Sequence, residues 1–135
     1  FFYPSVRLAG IKPETGQAQP TAFTEFNADS AFAYTAAQCA FGPRVPNTEA
    51  HRLCGTYIAE KFKSFGATVT DQYADVKAYD GTVLKARNII ASYNPDTKAR
   101  ILVCGHWDSR PWADNDPDSA NWHKPVLAAN DAASD

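Results

Sequence analysis

At Gly66 the hydrophobic period of this chain changes, and that change constrains the fold more than any other feature. Before it, Leu53, Tyr57, Ile58, Phe62 and Phe65 recur at helical spacing, the stripe of an amphipathic helix. Asn47 or Thr48 can cap that helix, and Gly66 is its C-terminal stop. After Gly66, ATVTDQYADVKAY alternates loosely and is rich in Val, Thr and Tyr, as a half-exposed strand is. Asp80-Gly81 is a hairpin turn signal, and TVLKARNIIASY is the partner strand, broken by Asn94-Pro95-Asp96. Upstream, Asn27 or Asp29 opens an earlier helix that runs through Phe32, Tyr34 and Ala36 to Ala40 and stops at Gly42-Pro43. The linker FGPRVPN separates the two helices.

Beyond the hairpin, Arg100-Ile101-Leu102-Val103-Cys104-Gly105 is a nearly unbroken apolar run, the pattern of a strand buried on both faces of a sheet. The order helix, helix, hairpin, buried strand predicts an α/β fold, a sheet with helices packed on it. A central strand needs neighbours on both sides, and little sequence remains after it to supply them. Residues 24–135 are therefore expected to be the N-terminal portion of a single α/β domain, incomplete at its C-terminal end. Residues 1–23, with Pro4, Pro13 and Pro20 and few periodic apolar positions, are expected to form an extended arm. Phe1 and the lack of any methionine lead us to expect that an N-terminal segment has been removed.

A net charge of −2 gives no electrostatic case for nucleic acid or an anionic membrane. No apolar stretch approaches the roughly 20 residues that a transmembrane segment requires. Cys39 and Cys54 are either buried thiols or a disulfide between the helices; no Cys-x-x-Cys suggests a structural zinc knuckle. Cys104, inside the apolar run, is expected to be buried and inert.

The apolar run opens into GHWDSRPWADND. In open α/β sheets functional side chains gather at the carboxyl ends of central strands, where His106 and Asp108 stand. In extended backbone, positions two apart point to one side, so imidazole and carboxylate emerge together. Such a pair suits a metal site, where a carboxylate fixes the tautomer of a ligating histidine. Alone the spacing is a weak signal, because a satisfied polar pair at a sheet edge has the same pattern. Asp131, in VLAANDAASD, returns to the same floor and adds a hard oxygen to a borderline nitrogen, the start of a zinc set; it also stands where a helix N-cap would. Asp114-Asn115-Asp116-Pro117-Asp118 imitates a calcium loop but lacks its turn glycine and its bidentate glutamate, and reads as a solvated loop. Trp107, Trp112 and Trp122 either wall a small substrate pocket or simply pack, with Trp107 turned away from its two flanking site residues. His51 and His123 are expected at the surface.

GHWDSRPWAD followed by PVLAANDAASD resembles the metallopeptidase family that joins zinc aminopeptidases and glutaminyl cyclases. FGPRVPNTEAHRLCGTYIAEKFKSFGA and KARNII are similar to the helix and strand that precede that family's site, and FGPRVP with RPWAD is most similar to its bacterial glutaminyl cyclases. The resemblance runs from about Gln38 to the end. It implies a mixed β-sheet flanked by helices and an exported protein, in the bacterial periplasm or as an outer-membrane lipoprotein. By position, Asp131 matches the metal-binding aspartate. His106 matches a histidine that is a zinc ligand in the two-metal aminopeptidases and lies near the metal in the single-zinc cyclases. Asp108 matches the carboxylate that orients the motif. The remaining ligands, a glutamate and a histidine, and the general-base glutamate are implied beyond Asp135. The family's Gly-Ala-Ser-Gly after the aspartate is here Ala132-Ala133-Ser134-Asp135.

The resemblance implies a glutaminyl-peptide cyclotransferase that uses one zinc ion to convert the N-terminal Gln of peptides to pyroglutamate with release of ammonia. The alternative within the family is an aminopeptidase with two zinc ions. An alternative of another class is an inactive fragment or peptide-binding module. In either enzyme the remainder of the domain must complete the site.

Overall fold

The computed structural model describes residues 25–134, so the expected N-terminal arm and Asp135 lie outside the described residues. The first helix, α1 (Ala28–Cys39), starts where Asn27 accepts a hydrogen bond from the Ser30 amide at 2.8 Å. The second, α2 (Glu49–Ser64), is capped by Thr48, whose hydroxyl accepts from the His51 amide. It ends in a Schellman turn: Gly66 takes φ +84°, its amide donates to the Lys63 carbonyl, and the Ala67 amide donates to that of Phe62. The hairpin follows at once. Strands β1 (Thr68–Lys77) and β2 (Val83–Ser92) pair antiparallel without a slip, from Thr68 opposite Ser92 to Lys77 opposite Val83. Gly81, at φ +89°, and Asp80, whose carboxylate accepts from the Thr82 amide, shape the turn.

α2 has two working faces. Tyr57 meets Phe41, and Phe65 meets Tyr34 of α1 edge-on at 5.9 Å. The buried face is different from the stripe that the sequence predicts: it carries His51, Cys54, Gly55 and Ala59, while Leu53 and Phe65 remain partly exposed. Small residues win the buried face because a tryptophan and an arginine from other segments lie across it. The hairpin is tied to the helices by polar contacts. Asn47 (φ +73°) donates to the Val83 carbonyl and accepts from the Lys85 amide, so its side chain occupies part of the β2 edge as a short strand would. Arg87 reaches from β2 to Asp71 at 2.8 Å and to Thr56 of α2.

The apolar run departs from expectation. Among the described residues the sheet has two strands, β1 and β2, and residues 101–104 are not a third. Ile101, Leu102 and Val103 are 93%, 85% and 88% exposed, and Cys104 is exposed rather than buried. A strand buried on both faces needs partners for its backbone N–H and C=O groups, and none is present among the described residues. All three cysteines are free thiols. The observed architecture is thus a partial α/β domain of two helices and an antiparallel hairpin, with residues 100–134 laid over it mainly as loops and turns.

Candidate functional site

The segment that follows the apolar run is held by two anchors. Trp107 turns away from its neighbours, as expected, and stacks on His51 with ring centroids 4.2 Å apart. Its six-membered ring also lies over Gly55, one turn along α2, where an added Cβ would come within 2.9 Å of it. His51 is therefore not the surface residue that the sequence suggests; only 7% of it is exposed. Burial holds its imidazole below the ordinary value, opposed by the charge of Asp108 and reinforced by that of Arg87. The second anchor is Arg44, which donates from Nε to the Trp107 carbonyl at 2.9 Å while its own carbonyl accepts from the Ser109 amide.

With the backbone fixed on both sides of Trp107, His106 and Asp108 project together. The Nδ1 side of the His106 ring faces the Asp108 carbonyl at 3.1 Å and its carboxylate at 3.5 Å. On the other side, Nε2 meets Oδ1 of Asp131 at 2.7 Å, across 25 positions of sequence. The hydrogen bond that the His106 ring donates to the Asp131 carboxylate, with the charges of Asp108 and Asp131, holds the His106 pKa above its ordinary value. Asp131 sits in a turn closed by the Ala133 amide on the Ala128 carbonyl. The left-handed angle in this region falls at Ala128 (φ +54°), upstream of Ala132, so Ala132 carries no left-handed strain.

The tryptophans and the acidic run occupy an adjoining loop. Trp122 donates to the Asp116 carbonyl, Trp112 meets His123 edge-on, and the Ala113 amide donates to the Lys124 carbonyl. Asp116 and Asp118 each accept a backbone amide two residues on. This loop uses its carboxylates as turn formers, as the solvated-loop reading requires. Beside Asp131 an open groove is lined by Arg110, Asn115, Val126, Ala128 and Asn130.

The donor types suit zinc: an imidazole nitrogen and a carboxylate oxygen converge, and a second carboxylate sits at the other ring nitrogen. The number does not complete a coordination sphere, since no cluster of three or more His, Cys, Asp or Glu able to hold a metal occurs among the described residues. Sequence reasoning missed Arg44. The available signal was its place between Gly42-Pro43 and Pro46, a backbone stiffened on both sides.

No family model and no curated protein matches the chain. Solved structures do. The glutaminyl cyclase of Bacteroides thetaiotaomicron bound to N-acetylhistamine is 61% identical, with a TM-score of 0.81 over 82% of this chain and 38% of that one. A leucine aminopeptidase precursor from the same organism matches with the same figures. A Zn-dependent exopeptidase from Parabacteroides distasonis is 55% identical, with a TM-score of 0.82 over 84% of this chain and 39% of that one. The chain thus spans about two fifths of the length of these structures. Neighbours at 45–61% identity are bacterial glutaminyl cyclases and zinc-dependent exopeptidases, which match the family that the sequence resembles.

Proposed function

We propose that this chain, as part of a zinc aminopeptidase–glutaminyl cyclase domain, supplies one side of the active site of a glutaminyl-peptide cyclotransferase. The observation that carries the reading is the meeting of His106 Nε2 and Asp131 Oδ1 at 2.7 Å, with Asp108 behind the ring. Asp131 is the metal donor and His106 either a second donor or its close neighbour. Asp131, with His106 beside it, would hold zinc, which would supply Lewis acidity toward the side-chain amide carbonyl of an N-terminal glutamine; the peptide's own α-amine would attack that carbonyl and ammonia would leave. Asp108 fixes the tautomer and orientation of His106. The tryptophan-bearing loop, with Trp112 and Trp122, borders the entry for a small side chain, while Trp107, stacked on His51, anchors the backbone between His106 and Asp108. The remaining donors and the glutamate that moves the amine proton to ammonia belong to the rest of the domain. In this reading the protein is exported, in the bacterial periplasm or outer membrane; among the described residues no helix is long and apolar enough to cross a membrane.

Aminopeptidase activity with two zinc ions is the second reading, favoured by the aminopeptidase precursor and the exopeptidase among the neighbours. Assay of the whole protein on peptides with N-terminal Gln separates the two. Pyroglutamyl peptide with stoichiometric ammonia is the expected product; release of the first amino acid instead assigns the aminopeptidase.

A further inference from the structure

Arg44 is completely buried, yet its hydrogen bonds run to backbone carbonyls and none to a carboxylate. A buried guanidinium without a counter-ion is costly, and an apolar side chain of similar size fills the same volume without that cost. What the guanidinium adds is geometry: a planar fork of donors in fixed directions. Here the fork bridges two segments far apart in sequence. Nε holds the Trp107 carbonyl at 2.9 Å, Nη2 holds that of Ala128 at 2.8 Å, and Nη1 holds that of Leu127 at 3.1 Å. Nη1 also leans on the Gln38 and Gly42 carbonyls at the end of α1, at 3.4 and 3.5 Å.

These carbonyls flank the site. Trp107 follows His106, and Ala128 opens the turn that carries Asp131. Ala128 stands at φ +54°, a conformation that an alanine adopts only when its surroundings enforce it. Its carbonyl accepts from both Arg44 and the Ala133 amide, which closes that turn. Gln38 grips the far side, with Nε2 donating to the Ala133 carbonyl at 2.9 Å. Ala132 and Ala133 are buried beneath the turn.

We propose that Arg44, seconded by Gln38, is a positioning residue that sets the His106–Asp108 segment and the Asp131 turn in register, so that imidazole and carboxylate meet. It touches neither substrate nor metal and acts through carbonyls. The inference rests on reading His106, Asp108 and Asp131 as one site.

The test follows the ring nitrogens of His106 by 15N NMR in the full chain. In the native protein, Asp131→Asn changes the partner of Nε2 and shifts those signals. In an Arg44→Lys background one ammonium cannot span both segments, and the shift caused by Asp131→Asn is lost while the amide signals of β1 and β2 stay in place. A full shift in the Arg44→Lys background overturns the proposal. If Arg44→Lys also loses the hairpin signals, Gln38→Met decides, because it leaves α1 helical and removes only the grip on Ala133. Loss of the shift supports the register role, and its retention refutes it. Turnover of the whole protein carrying Asp131→Asn tests the functional reading separately: undiminished turnover removes that reading and leaves the NMR coupling standing.

Discussion

The two parts of this molecule are held by different means. From Asn27 to Ser92 the structure is local: capped helices, a Schellman turn and a hairpin paired in one register. From Arg100 to Ser134 there is one short 3₁₀ turn, and the path of the chain is set by a few long-range contacts. Arg44 spans to Trp107, Leu127 and Ala128, Gln38 to Ala133, and Trp107 lies on His51 and Gly55. The first part can form from its own neighbours, whereas the second borrows its shape from the first. The residues of the proposed site, His106, Asp108 and Asp131, are all on the borrowed part.

That contrast breaks most severely at Arg44. Arg44→Ala removes the donors held by the Trp107 and Leu127 carbonyls and one of the two held by Ala128, and we expect a loss of roughly 3 kcal/mol in urea unfolding. Hydrogen exchange should rise in residues 105–134 and stay unchanged in the hairpin; uniform loss of protection would mean that the two parts are not distinct. Gly55→Ala comes next. A Cβ there meets the Trp107 ring and Arg87 at 2.9 Å, and overpacking of that kind costs about 1–3 kcal/mol, more than the gain in helix propensity. Trp107 fluorescence should change with it, and an unperturbed spectrum at native stability would remove Trp107 as an anchor.

A smaller effect is expected from pH. Burial keeps His51 below its ordinary value of 6.5, so on acidification the unfolded chain takes up the proton first. The contribution of His51 is complete above that value and declines as pH falls through the folded-state pKa. His51→Phe keeps a ring against Trp107 and removes the titration, so its stability should fall less steeply below about pH 6.5 than that of the native protein. Parallel profiles would show that His51 is not the group responsible. The smallest perturbation is a thiol count. Burial pushes Cys54 up to about 11, and Cys104 is exposed. At about pH 8 a thiol reagent should label Cys104 quickly and Cys54 only after unfolding. Equal rates would place Cys54 at the surface.

What could be read from the sequence follows the same division. Both helices, their caps and the hairpin with its Asp80-Gly81 turn are encoded within a few residues of where they act. His106, Asp108 and Asp131 were legible because short motifs carry them, and the structure brings the three together. Residues 101–103 were misjudged because a hydrophobic run records the burial that a strand would have with partners, and among the described residues it has none. Arg44 was missed, and His51 misjudged, for the opposite reason. Each looks polar and local in sequence and is buried by a segment more than fifty positions away.

The central claim is that His106 and Asp131 form one donor pair. Zinc titration of the protein, followed through its histidine ring nitrogens and the side chain of Asp131 by NMR, tests it most directly. The account predicts that the signals of His106 and Asp131 move together while those of His51 and His123 stay still. Zinc that moves His123 or consumes the Cys104 thiol, with His106 and Asp131 unchanged, would contradict it.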